Sequence, residues 1–178
     1  MMRILRALGC VSLMVLCGAA AAADSPDPCT QFSWNVTHEL AVFGQTPKAV
    51  TAGKDGASAP VITPDQLYEL TLTPQAQVSF AHPPSKRALN DGAYAGLARV
   101  HITTAGTYRV AIDGPFWIDV LSGGSVLDSG DFTGNHGCKT LSKLVEFQMP
   151  AGDVVLQLSG ASKGTVHVAV TPSLKSKS

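Results

Sequence analysis

The chain has little charge. Only 15% of its 178 residues are Asp, Glu, Lys or Arg, with 13 of each sign and no run of either. A nucleic-acid surface needs clustered Lys and Arg to displace counterions, so no nucleic-acid partner is expected. Cysteine is scarce: Cys10 and Cys17 lie in the first 17 residues, and only Cys29 and Cys138 follow. No CxxC spacing occurs, which removes the common thiol-redox and zinc-ribbon signatures. Long apolar runs are missing too. The apolar stretch at 8–16 is well short of the ~20 residues a helical span requires, so no transmembrane segment is expected. The five histidines, His38, His82, His101, His136 and His167, never fall as HxH, HxxxH or HExxH. There is no GxSxG nucleophile elbow and no DxDxDG calcium loop.

What is present starts with a leader. Arg3 and Arg6 precede the apolar stretch, and the small residues 18–23 follow it. That order is the one found in secretory signal peptides, and Ala21 and Ala23 place cleavage after Ala23. Cys17 follows Leu16, too large for the small residue a lipoprotein site wants, so it is expected to leave with the leader. The expected compartment is the periplasm or the extracellular space. There, Cys29 and Cys138 form the expected disulfide, closing a loop of about 110 residues worth on the order of 4–5 kcal/mol in the chain-entropy account.

The mature chain, from Asp24, alternates turn residues with short amphipathic runs. Residues 29–43 carry the clearest helical spacing, with Val36, Leu40 and Phe43 on one side and Ser33 or Asn35 as a cap. Residues 44–60 read as a loop. Strands are expected at 66–73, 77–81, 94–103, 106–113 and 116–121, with a hairpin at Ser122-Gly123-Gly124 returning over 125–129. A polar loop at 130–141 precedes strands at 144–149, 154–158 and 165–171. Period-2 patterning separated by turns every 8–12 residues or so predicts an all-β, antiparallel, jelly-roll-like β-sandwich with a short N-terminal helical segment. The expected division is leader 1–23, N-terminal segment and loop 24–65, sandwich 66–172 and a disordered tail 173–178.

Five pieces of the second half share a family's phrasing: Ala105-Gly106-Thr107-Tyr108, Trp117-Ile118-Asp119-Val120, Ser122-Gly123-Gly124, Pro150-Ala151-Gly152 and Val166-His167-Val168. In these the chain resembles the bacterial pre-peptidase C-terminal (PPC) β-sandwich over less than half of its mature length. The resemblance implies a non-catalytic accessory module, of the kind usually appended to secreted hydrolases. The whole chain is also similar to small secreted proteins of proteobacteria, some of which carry the name homogentisate 1,2-dioxygenase. That enzyme uses a much longer cupin-type chain with a His/His/Glu iron site, a spacing this sequence lacks.

Two site hypotheses follow. If Phe116 and Ile118 face the core, Trp117 and Asp119 face outward together. A Trp ring can stack on a pyranose face while a carboxylate accepts its hydroxyls, so the pair is a candidate carbohydrate platform. Alternatively, the N-terminal segment tethered by Cys29 covers this face, with Trp34 and Phe43 packing over Trp117. The second hypothesis is a small metal-dependent enzyme, such as a non-haem iron dioxygenase-like protein, with the loop residues His82 and His136 as metal ligands. A binding or accessory module with no cofactor is the leading expectation, its partner a carbohydrate or another envelope protein.

Overall fold

The computed structural model describes residues 26–85 and 92–174. The leader, its cleavage point and the last four residues of the tail lie outside them. A 3-10 turn at Pro28–Thr30 leads to helix α1, Thr37–Phe43. Twelve strands follow: β1 (Lys48–Thr51), β2 (Val61–Ile62), β3 (Tyr68–Thr71), β4 (Thr73–Pro74), β5 (Tyr94–Ile102), β6 (Gly106–Ile112), β7 (Trp117–Ser122), β8 (Ser125–Val126), β9 (Ser129–Gly134), β10 (Lys143–Met149), β11 (Gly152–Ala161) and β12 (Thr165–Pro172).

They form two sheets, ordered β1-β3-β12-β6-β10-β9 and β2-β5-β11-β7-β8, with β4 also pairing β5. From β5 onward the chain repeatedly crosses between sheets, so consecutive strands mostly face each other across the core. The long strands pair with one another antiparallel, as expected; the short strands β1 and β2 pair in parallel with β3 and β5. The inward residues of both sheets make one apolar core, including Val100, Ile102, Val110, Ile112, Ile118, Val120, Leu156 and Val168, each at most 5% exposed. These are the positions the alternation assigned inward.

The hairpin at β7–β8 has a direct cause. Gly123 and Gly124 have φ of 57° and 82°, the positive values that a tight turn matching the strand twist demands and that glycine adopts without steric cost. Helix α1 is shorter than its periodic stretch, because Val36 becomes its buried first flanking residue with no side-chain cap bond. Asn35 Oδ1 instead accepts the Thr37 N–H at 3.0 Å.

Three expectations are corrected. Residues 77–81 are no strand. A 3-10 turn at Gln75–Gln77 comes first, and Ser79 and Ala81 then donate to Lys54 O and the Gln157 side chain rather than to a ladder. The stretch 44–60 is not all loop, since β1 adds to one sheet edge. The polar segment 130–141 begins as edge strand β9. Both are edges and largely solvent-facing, so neither carries the apolar alternation that marks the inner strands, and the two-residue edge β2 was not expected either.

A second apolar cluster lies outside the sandwich. Val36, Val42, Phe43, Leu67, Ala111, Cys138, Leu141, Leu144 and Ala169 pack together, joined by Phe32, Trp34 and Leu40. The N-terminal segment therefore lies on the outer face of β6, β10 and β12. The Cys29–Cys138 disulfide is present, with Cα atoms 4.6 Å apart, and pins this cover in place.

Candidate functional site

The N-terminal cover sits on one sheet and Trp117 on the other. Trp34 does not pack over Trp117: its ring lies against the Arg109 guanidinium, 4.8 Å from centroid to Cζ. Trp117 stands at the start of β7, half-buried, with Ile118 and Val120 pointing inward beside it. Its indole Nε1 donates to Asp119 Oδ1 at 3.0 Å. The other Asp119 oxygen accepts the Ser85 N–H at 3.1 Å, and Asp119 is only 3% exposed.

Asp119 thus serves the protein's own chain. Across the β7–β11 ladder its partner is Gln157, fully buried, whose side chain accepts from Ala81 N at 3.1 Å and donates to His82 O at 2.9 Å. Together Gln157 and Asp119 hold residues 81–85 across the outer face of this sheet. A carboxylate so committed orients the tryptophan and has no free oxygen for a ligand hydroxyl.

The tryptophan itself opens onto a cleft of about 360 Å³ between the edges of the two sheets. Trp117, Phe116 and Phe132 supply its apolar wall, and His136, Ser142 and Lys143 its polar one. Phe132, on edge strand β9, is 68% exposed. Lys143 Nζ lies 5.1 Å from the Trp117 ring centroid, a cation–π distance. The cleft therefore offers three aromatic rings, a cation, an imidazole and a hydroxyl.

The histidines are dispersed. His38 bonds Asp65 at 2.8 Å, His101 bonds Asp153 at 2.7 Å, and His167 Nδ1 bonds Asp113 at 3.0 Å. His101 on β5 and His167 on β12 belong to different sheets. His82 Nδ1 contacts its own neighbour's carbonyl, Pro83 O, at 2.9 Å, while His136 lines the Trp117 cleft. Among the described residues no group of three or more His, Cys, Asp or Glu is arranged to hold a metal ion.

Sequence reasoning missed one constellation entirely. Arg109, 7% exposed, donates from Nε to Glu146 Oε1 and from Nη1 to Glu39 Oε1, both at 3.1 Å, and from Nη1 to Asn35 O at 3.0 Å. Glu39 and Glu146 are 1% and 4% exposed. A signal existed. Ala111, Leu144 and Ala169 are apolar at outward positions of adjacent strands, which marks a covered face, and Arg109 and Glu146 stand opposite each other on it.

No family model and no curated protein matches the chain. Among solved structures, a β-glucosidase from Paenibacillus barengoltzii aligns with 70% of this chain and 13% of its own length, at 14% identity and a TM-score of 0.29. That likeness carries no argument about either fold or function.

Proposed function

We propose that the protein is a secreted or periplasmic binding module, without catalysis of its own, that takes carbohydrate in the Trp117 cleft. The observation that carries this reading is the braced tryptophan. Its indole N–H is tied to buried Asp119, so the ring keeps one orientation at the cleft while part of it remains accessible. A pre-oriented ring loses little freedom when a sugar stacks on it. Phe132 provides a second apolar surface, and Ser142, His136 and Lys143 supply hydrogen-bonding partners for hydroxyls. Asp119, expected to touch the ligand, takes a positioning role.

The compartment rests on the leader-like residues 1–23 and on the disulfide, a bond typical of oxidising environments. The PPC-like phrasing of the second half agrees with an accessory module that serves a partner enzyme or envelope component.

A panel of soluble oligosaccharides tests this by calorimetry and thermal shift. At least one glycan class should bind, and Trp117→Ala should weaken it on the order of tenfold, the weight of an aromatic stacking contact. Phe132→Ala, at an exposed position, should weaken it without lowering the melting temperature. If no glycan binds at millimolar concentration, or Trp117→Ala binds as well as the parent, the carbohydrate reading fails.

A further inference from the structure

Asp119 holds the Trp117 indole through Oδ1, and its Oδ2 accepts the Ser85 N–H at 3.1 Å. The orientation of the ring thus has a second link, and that link leaves the sheet. Ser85 ends the segment 81–85, whose start is gripped by Gln157. Gln157 Oε1 accepts the Ala81 N–H at 3.1 Å, and its Nε2 donates to His82 O at 2.9 Å. Just upstream, the Ser79 N–H donates to Lys54 O at 2.7 Å, so the segment enters already held. Gln157 and Asp119 are register partners on β11 and β7, 0% and 3% exposed. The segment therefore crosses from one strand to its neighbour with a buried side chain fixing each end.

Pro83-Pro84 joins the two ends. Each proline ring locks φ at about −65°, and the second also restricts the first to extended backbone. A spacer with so few conformations transmits position: where residues 81 and 82 are set, the Ser85 N–H is set as well. A flexible spacer would let Ser85 wander whatever Gln157 held. The segment also keeps water from Asp119, where it would compete for the oxygen that the indole uses. Lys143 meets the ring from its face at 5.1 Å, an attraction that does not fix rotation of the ring in its own plane. Neither Gln157 nor any of residues 81–85 lines the cleft, so their influence on a ligand there has to pass through Asp119 and Trp117.

We propose that residues 81–85 are a proline-stiffened strap that sets the Trp117 ring, and that Gln157 is a positioning residue of the cleft acting through it. The consequence for a ligand rests on the carbohydrate reading above; the consequence for the ring does not.

Nuclear magnetic resonance of isotope-labelled protein reads the ring directly, through hydrogen exchange at the Trp117 indole N–H. Gln157→Leu removes both grips on the strap at similar volume. Ser85→Pro, at an exposed position, deletes the N–H donated to Asp119, and Ser85→Ala keeps it. Exchange at Trp117 should rise about tenfold or more in Gln157→Leu and in Ser85→Pro, and stay at the parent rate in Ser85→Ala. Trp34, on the other sheet, is the internal reference and should not change. Affinity for a glycan that the parent binds should fall about threefold or more in the first two variants, although no lining residue is altered. If Gln157→Leu does not fold, Ser85→Pro decides. An unchanged Trp117 rate in folded Ser85→Pro, an equal rise in Ser85→Ala, or faster exchange with undiminished glycan affinity overturns the proposal. Faster exchange in a protein whose parent binds no glycan supports the strap and sinks the carbohydrate reading alone.

Discussion

Arg109 illustrates how far one residue can organise an interface within a small protein. Its guanidinium ties α1 to β10 through Glu39 and Glu146, reaches the Asn35 carbonyl, and stacks on Trp34. All of this occurs under the N-terminal cover, where water screens little. Buried ion pairs add modest net stability over apolar packing of the same shape, but removing one partner strands the other. Arg109→Met should therefore cost about 3–5 kcal/mol, because two carboxylates lose their shared counter-charge. Urea unfolding measures it. A loss below about 1 kcal/mol, the ordinary value for an exposed pair, would mean that the cluster is solvated. Trp117 and Asp119 teach a related lesson. Their outward direction follows from strand alternation. Their environment does not, because what lies over β7 is the short segment 81–85, joined to Asp119 and Gln157 by hydrogen bonds that leave no periodic trace in the sequence.

Among the elements, the inner strands were legible and the edges β1 and β9 were not. β5, β6, β7, β10, β11 and β12 each bury one full side of alternating residues, and that burial writes itself into the sequence as period 2. β1 and β9 pair on one side only, and an edge exposed to solvent favours polar residues, so Lys48-Ala49-Val50-Thr51 and Gly130-Asp131-Phe132-Thr133 read as loop. The loop after β1 is built by close approach. Gly53 exchanges both backbone hydrogen bonds with Leu97, at 2.8 and 2.9 Å, and the chain folds back so that a Cβ on Gly53 would fall 2.5 Å from Ala59 Cα. Ser58 closes the turn by donating from its amide and its hydroxyl to Asp55 Oδ1, and these bonds hold the Asp55 carboxyl below its ordinary pKa. Gly53→Ala should destabilise by about 1–3 kcal/mol, since the obstruction is backbone and cannot rotate away. Gly56→Ala, where a Cβ meets nothing within 4 Å, is the matched control. Equal melting temperatures for the two variants would refute the steric account.

For the molecule as a whole, the decisive arrangement is that, among the described residues, one sheet carries a broad apolar cover and the other does not. Two cysteines at sufficient distance announced a disulfide, yet nothing in their spacing said which face the tethered segment would choose. The choice follows from the outward positions of β6, β10 and β12, where Ala111, Leu144 and Ala169 present an apolar surface, whereas the outward positions of β7 and β11 include Asp119 and Gln157. The segment covers the face that most needs covering, and the Trp117 cleft stays accessible at the sheet edges as a consequence. The Cys29–Cys138 bond spans 109 residues, so its loss should release a large denatured-state entropy, on the order of 2–5 kcal/mol of stability. The double variant Cys29→Ser, Cys138→Ser separates two ways of losing it. If packing and the Arg109 network still hold the cover, the native state keeps its apolar face hidden, dye that reports exposed apolar surface does not bind, and glycan affinity at the Trp117 cleft is unchanged while the unfolding midpoint drops. If dye binds under native conditions, the cover has detached, and the disulfide rather than the 109–39–146 ion network is what keeps that sheet closed.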